Sequence, residues 1–277
     1  MNQTDILNQF PELSNYRGGR FLVKYGGAAM EREDVRTAVC AEVAALAKIG
    51  LQIVVVHGGG KEISRLLERL GVTPVFVDGL RVTDSAAMVA TEMVLSGSIN
   101  KDLVSRISRF GSPALGISGR DGHLLTAKKL YSASGVDLGL TGEVETVDPT
   151  AVESILTAGF VPVVSPVGET VSGQPLNLNA DYAAAALAGA LRVEQSIFLT
   201  DVSGVKKNGA VLPQLTPPDV EALIADGTIS GGMIPKVQCA VRALRAGSSS
   251  SVICDASQRQ AISSAITGRA TASTRIL

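Results

Sequence analysis

The stretch Val54-Val55-Val56-His57-Gly58-Gly59-Gly60-Lys61 ends an apolar run in three glycines, immediately before an amphipathic helical pattern. Residues without Cβ let backbone N–H groups approach a ligand, and the helix that follows aims its unpaired donors and positive dipole end at the same point. The chemistry implied is anion binding, of a phosphate or a carboxylate. A plain strand-to-helix turn uses the same residues. A P-loop is excluded, because Glu62 stands where that motif needs Ser or Thr and Val55 where it needs glycine; contiguous glycines also rule out GxGxxG.

Other segments can share that chemistry. Val23-Lys24-Tyr25-Gly26-Gly27 puts a lysine and two flexible glycines where a parallel strand meets its ligand crevice, although a lysine is more ordinarily a solvated surface group. Leu176-Asn177-Leu178-Asn179-Ala180-Asp181 leads into an alanine-rich helix that Asn179 or Asp181 can cap. One cap needs one side chain, whereas residues 177, 179 and 181 project together if the segment is extended, which suggests ligand contacts. Gly231-Gly232-Met233-Ile234-Pro235-Lys236 is a second glycine-led helix start, and its lysine near the positive dipole end makes sense with an anion between them. Arg81 can grip a carboxylate with both nitrogens or pair with Asp78 or Asp84 at the surface. Thr200-Asp201 ends an apolar run, either at a ligand edge or as the start of a turn toward Gly204. His57 has no neighbour that completes a nucleophile–base pair or metal triad, and reads as a hydrogen-bonding group of its turn.

Two lysines, two glycine-led helix starts, an arginine and an acidic organiser suit a site that brings two anions together. Phosphoryl transfer from ATP to a carboxylate poses that problem. A carboxylate acceptor is already ionised, so no general base is required; the protein supplies position and positive electrostatics.

The elements needed to hold these residues are legible as alternating β-rich runs and helical patterns. Runs at 21–23, 52–56, 113–117, 160–164, 197–200 and 252–254 alternate with helices at 31–49 and 60–70, with long helices at 84–108 and 181–192. This predicts an α/β protein with a mainly parallel sheet covered on both faces. Turn clusters at 124–147 and 168–174 predict hairpins near the ligand edge, and the serines 248–251 predict a solvated loop. In residues 1–18, Ile6, Leu7, Phe10, Leu13 and Tyr16 form an apolar stripe that packs either on its own domain or on another subunit.

With 25 basic and 26 acidic residues among 277, no global field recruits nucleic acid or an anionic membrane. Cys40, Cys239 and Cys254 lack metal or redox spacing and read as buried thiols. The N-terminus has no leader pattern and no apolar run reaches membrane length, so a cytoplasmic protein is expected.

Taken in order, VKYGG, VVVHGGG, FVDGLRVTD, GISGRDG, LGLTGEVE, NLNAD, LTDVSG and GGMIPK closely resemble the acetylglutamate kinases of the amino acid kinase family, from about Phe21 through nearly the whole chain. The resemblance implies a single three-layer α/β/α domain over 19–277 with an open, mainly parallel central sheet, preceded by a helical arm at 1–18. Its N-lobe, about 19–175, would bind N-acetyl-L-glutamate and form a homodimer, and its C-lobe, about 176–277, would bind ATP. The reaction implied is phosphorylation of the acceptor's side-chain carboxylate in arginine biosynthesis.

By the same resemblance, Lys24 and Lys236 stabilise the transferring group and Asp181 orients both. Gly59 and Gly60 present amides, Arg81 holds the α-carboxylate, and Asn177 contacts the acylated amino group. Gly26, Gly27, Thr200, Asp201 and Gly231 lie along the nucleotide, with Mg2+ held mainly by ATP phosphates and no dedicated protein cage. Residues 4–16 resemble the N-terminal helix that joins dimers into hexamers in arginine-inhibited members. The C-terminal segment departs from those members: Cys254-Asp255-Ala256-Ser257-Gln258-Arg259 and the ending Ala272-Ser273-Thr274-Arg275-Ile276-Leu277 lack their Asp-Gly pair, histidine and Gly-x-Gly-Thr. Other readings are a kinase for a related acceptor, such as a carrier-linked aminoadipate, and a catalytically silent amino acid sensor. Intact FVDGLRVTD and NLNAD favour a free N-acetylated glutamate, and retention of both lysines and Asp181 argues against a sensor.

Overall fold

The computed structural model describes residues 3–277. Strands β1 (Arg20–Tyr25), β2 (Gln52–His57), β3 (Ala114–Ser118), β4 (Val161–Ser165), β5 (Gln195–Thr200), β6 (Gln214–Leu215), β7 (Ser251–Asp255) and β8 (Ser273–Ile276) form one sheet. Their order is β6-β8-β7-β5-β1-β2-β4-β3, with every neighbouring pair parallel except β7 with β8. All six expected β runs are present. The edge strand β6 and its neighbour β8 carried no apolar run long enough to announce them.

The central strand shows why the sheet must be covered twice. Phe21, Val23 and Tyr25 enter one core and Leu22 the other, so a strand buried on both faces reads as a continuous apolar run. Lys24 has the parity of Leu22 and faces the layer that contains the helix Ala180–Ala190. Alanines 183–185 and 188 of that helix are buried, and Gly189 permits close approach of the helix Met233–Ala246, since a Cβ there would come 2.6 Å from Ala246 O.

The predicted helix over 84–108 is present with a change of gait. Asp84 caps it by accepting from Ala87 N at 2.7 Å; Ser85–Glu92 is α-helical, Met93–Ile99 is π-helical, and Asn100–Arg109 is again α-helical. Such a register change is invisible to an apolar pattern that merely recurs every three or four residues.

The expected hairpins also form, and they close on each other. Leu125–Tyr131, Asp137–Val147, Val167–Glu169 and Pro175–Leu178 make a four-stranded closed barrel that the chain enters from the C-terminal ends of β3 and β4. A separate hairpin, Val75–Val77 with Leu80–Val82, turns at Asp78 (φ 52°) and Gly79 (φ 76°), the tight left-handed turn that joins twisted strands well.

Two expectations are resolved by packing. The N-terminal stripe lies on its own domain: Ile6 and Leu13 are fully buried with Phe10 in the main core, and Arg269 donates to Gln9 O at 2.8 Å. The serines 248–251 are not a solvated loop. Ser248, Ser250 and Ser251 are buried, where Ser248 Oγ donates to Ser250 O at 2.8 Å and Ser251 Oγ to Ala240 O at 2.9 Å, so short hydroxyls satisfy backbone carbonyls at the sheet's base. The three cysteines are buried and unbridged, and among the described residues no helix is long and apolar enough to cross a membrane.

Candidate active site

Register brings the chemical residues level. Tyr25 lies opposite His57 on β2 and Leu199 on β5, which sets Gly26, Gly58 and Thr200 side by side at the C-terminal edge of three parallel strands. One residue earlier, Lys24 Nζ meets Asp181 Oδ1 at 2.7 Å; Lys24 is 9 % exposed. Gly26 is in extended conformation, so its role is space: a Cβ would lie 2.9 Å from Lys24 Nζ. Asp181 is available for this pairing because Asn179 does the capping, accepting from Asp181 N at 2.9 Å and Tyr182 N at 3.3 Å.

On one side of the ion pair is a cavity of about 210 Å³ lined by Gly59, Gly60, Arg81, Leu95, Asn177 and Asp181, among others. The glycine run has divided labour. Gly58 N is spent on Tyr25 O at 2.9 Å; Gly59 leaves room for the π-helical segment, since its Cβ would overlap Ile99 Cδ1 and approach Leu95 Cδ2 to 2.6 Å. No side chain caps the helix Gly60–Arg69, so its first amides open toward the cavity. His57 is fully buried and bonds through Nδ1 to Gly58 O at 2.9 Å; that carbonyl requires a proton on Nδ1 and leaves Nε2 to accept from Asn100 Nδ2 at 3.3 Å. Burial pushes its pKa down to about 4, which keeps the ring neutral.

Arg81 makes neither of the surface pairs open to it in the sequence. It is 7 % exposed, stacked 4.7 Å over the Phe76 ring, and its Nη2 donates to Gly60 O at 2.7 Å and Ser64 Oγ at 2.9 Å. Its Nη1 is buried without a protein partner, and burial lowers its pKa. A mostly buried guanidinium that lines a cavity and has no carboxylate partner among the described residues suits an anionic ligand. Asn177 Nδ2 donates to Thr83 Oγ1 at 3.1 Å, and Thr83 joins Thr141 Oγ1 at 2.8 Å.

On the other side is a cavity of about 260 Å³ lined by Lys24, Gly26, Gly27, Asp181, Phe198, Leu199, Thr200, Asp201 and Lys236. Gly27 and Asp181 line both cavities, so these are two compartments of one cleft with the Lys24–Asp181 pair at the junction. Thr200 Oγ1 donates to Asp201 Oδ1 at 3.0 Å, which chiefly holds the Asp201 carboxyl below the usual range. Lys236 Nζ donates to Gly232 O at 3.3 Å in its own first turn, and no ion pair joins it to Asp181 among the described residues. The expected double orientation is therefore seen for Lys24 alone. Gly231 (φ 54°) belongs to the turn before that helix and is not among the residues lining the cavity.

Several residues of the site had gone unmarked. Ser64, one turn after Gly60 on the helix that the glycine run starts, was within reach of a sequence argument. Thr141, which donates to Arg81 O at 2.5 Å, lies 60 positions from it, and Leu95 enters only through the π-helical register; neither position announces itself locally.

A model of the amino acid kinase family matches residues 19–255, which covers the sheet edge and every residue of the cleft named above. The chain belongs to the amino acid kinase family. Within the family it is similar to the acetylglutamate kinase of Acidiphilium cryptum (strain JF-5), with 45% identity over 255 residues that cover 88% of this chain and 85% of that one. The acetylglutamate kinase of Granulibacter bethesdensis is 43% identical over 92% of this chain and 89% of its own length. Among solved structures, N-acetylglutamate synthase from Neisseria gonorrhoeae, complexed with coenzyme A and N-acetyl-glutamate, superposes with a TM-score of 0.85 at 22% identity over 99% of this chain and 63% of that one. Carbamate kinase from Giardia lamblia bound to AMP-PNP gives 0.68 at 18% identity over 94% and 98% of the two chains. At those identities the likeness extends to the amino acid kinase fold alone.

Proposed function

We propose that this chain transfers the γ-phosphoryl group of ATP to the side-chain carboxylate of N-acetyl-L-glutamate, giving N-acetylglutamyl 5-phosphate in arginine biosynthesis. The observation that carries this reading is the ion pair of buried Lys24 with Asp181 between two compartments, one of which is lined by Arg81, a guanidinium with no carboxylate partner among the described residues. The Arg81 compartment takes the acceptor. Arg81 binds its α-carboxylate, Asn177 its acylated amino group, and the Gly59 and Gly60 amides face the reacting end. The other compartment takes the nucleotide along Gly26, Gly27, Thr200 and Asp201, with the Gly231 turn at its rim.

In the reaction an acceptor carboxylate oxygen bonds to the γ-phosphorus, the bond to the β–γ bridging oxygen breaks, and ADP leaves with the electron pair. No proton moves. Lys24 holds its ammonium at the junction and Lys236 closes from the helix start, so two cations meet the charge that spreads over the transferring oxygens. Among the described residues no three His, Cys, Asp or Glu side chains gather as a cation cage, and Asp181 and Asp201 are engaged by Lys24 and Thr200. That donor set fits Mg2+ carried by the nucleotide phosphates, where it would neutralise their charge.

The lobes divide the work in the main, residues about 19–175 binding the acceptor and dimerising and about 176–277 binding ATP, while Asn177 on the acceptor side and Lys24, Gly26 and Gly27 on the nucleotide side cross that division. Val89 and Met93, one helical turn apart and both exposed, offer an apolar face for a homodimer. A hexamer through the arm at 1–18 would have to use the exposed polar face of its described residues 3–18, because Ile6, Phe10 and Leu13 are already covered. Acyl phosphate trapped with hydroxylamine tests the activity. Product is expected with N-acetylglutamate and ATP; no product with N-acetylglutamate, glutamate or aminoadipate would remove the reading.

A further inference from the structure

The GISGRDG segment is the one recognised motif to which the phosphoryl-transfer site gives no work. Its parts are built for pressure. Gly119 admits no side chain, since a Cβ would come 2.7 Å from Val167 O, and Asp121 Oδ2 accepts from Ser118 N at 2.6 Å and Ser118 Oγ at 2.8 Å, which fixes the turn. From that turn Arg120 reaches two carboxylates on two elements: Nη1 to Glu92 Oε1 at 2.5 Å and Nε to Glu169 Oε2 at 3.2 Å.

Each carboxylate stands beside a wall of the Arg81 cavity. Glu92 is the last α-helical residue before the π-helical segment that brings Leu95 to the cavity. Glu169 ends the strand Val167–Glu169, which pairs with Pro175–Leu178 in the register Asn177 opposite Val167 and so carries Asn177. Pro166, next to that strand, lines the same cavity. Ser96 Oγ and Ser165 Oγ meet at 2.8 Å along the same seam, and His123 Nδ1 adds a contact to Glu169 Oε1 at 2.9 Å. The fork is the type of group that can hold two separate carboxylates in one geometry, which a point-charge ammonium cannot.

We propose that Arg120 is a positioning residue that sets the spacing between the Leu95 and Asn177 walls, and thereby the length of acceptor the cavity accepts. The inference rests on the acceptor compartment assigned above. It predicts a loss of discrimination rather than of chemistry, because Arg120 touches neither the ion pair nor the second compartment.

The test compares N-acetylglutamate with its homologue one methylene longer, N-acetyl-2-aminoadipate, in wild type, Arg120→Ala, Arg120→Lys and Glu92→Gln. In Arg120→Ala and Glu92→Gln the ratio of kcat/KM for the two acceptors should fall by about tenfold, within the range one methylene commands. KM for N-acetylglutamate should rise while kcat and KM for ATP stay near wild type, and Arg120→Lys should lie between. Glu92→Gln guards against misfolding, since the Glu92 side chain is one-third exposed, 33%. An unchanged ratio in Glu92→Gln or in folded Arg120→Ala, or an equal rise in KM for ATP, would overturn the gauge. Wild-type turnover with unchanged ratios overturns it alone, whereas no wild-type turnover with either acceptor removes the phosphoryl-transfer reading and the gauge together.

Discussion

In the compartment proposed for the acceptor, Arg81 is 7 % exposed and held by Gly60 O and Ser64 Oγ, whereas in the one proposed for the nucleotide Lys236 is partly exposed and bonds to Gly232 O in its own first turn. The first compartment is organised before any ligand arrives. Its polar groups are braced by Thr83, Thr141 and the π-helical segment, so the cost of ordering them is met in folding. The second compartment has its lysine on a helix start beside a glycine turn, and the phosphates it would meet supply the partner that completes it. Lys24 belongs with the first kind, being buried and fixed by Asp181.

That contrast can be broken by kinetics. Lys24→Ala should have the largest effect, lowering kcat by about 10²–10³-fold, the scale of losing one electrostatic contact to the transition state. Lys236→Ala should fall at the lower end of that range and change kcat more than either KM, because its contact forms as charge develops. Steady-state rates decide this, and a normal kcat in Lys236→Ala would end its role. Arg81→Ala should instead raise KM for N-acetylglutamate by about 10²-fold, as expected for a buried charge-assisted bond, with KM for ATP unchanged. An equal rise in both constants would abolish the distinction between the compartments.

Gly59→Ala sharpens the comparison at the level of packing. Its Cβ would overlap Ile99, so thermal unfolding should show a loss of about 1–3 kcal/mol, the usual cost of overpacking, together with weaker acceptor binding. Unaltered stability would show that the π-helical segment yields freely.

The smallest effect concerns pH. His57 titrates at about 4 when folded against an ordinary 6.5, because burial disfavours its cation. Its contribution to stability is therefore complete above about pH 6.5 and is lost as pH falls toward 4, where the unfolded chain binds the proton first. Glu42, raised to about 6 by burial while accepting from Ser263 N and Oγ at 2.7 Å each, acts in the opposite direction: its contribution is present below 4.5 and lost as pH rises through 6. A His57→Gln chain keeps Glu42 and so isolates the histidine; it should lose less melting temperature than wild type between pH 7 and 5. Equal losses would refute the assignment.

Sequence legibility followed locality. Lys24, Gly59, Asn177 and Asp181 could be singled out because each lies at a strand end or helix start whose pattern spans a dozen residues. Arg81 could be singled out too, but its choice between surface salt bridge and buried clamp depended on Phe76, Gly60 and Ser64 closing around it. Arg120 and Thr141 meet partners far away in sequence, Glu92 and Glu169 for the first and Arg81 O for the second, and the serines 248–251 looked solvated because composition reports polarity rather than burial.

The sequence by itself determined the alternation of strands and helices, the glycine-led helix starts and the identity of the charged residues, since periodicity, Cβ absence and charge are properties of short segments. Tertiary structure decided which of those charges meet in the cleft. Asp181 was freed by Asn179, Gly58 was withdrawn by Tyr25, and Lys236 was left apart from Asp181, because hydrogen bonds and ion pairs form between whichever groups the folded sheet and its layers bring within reach.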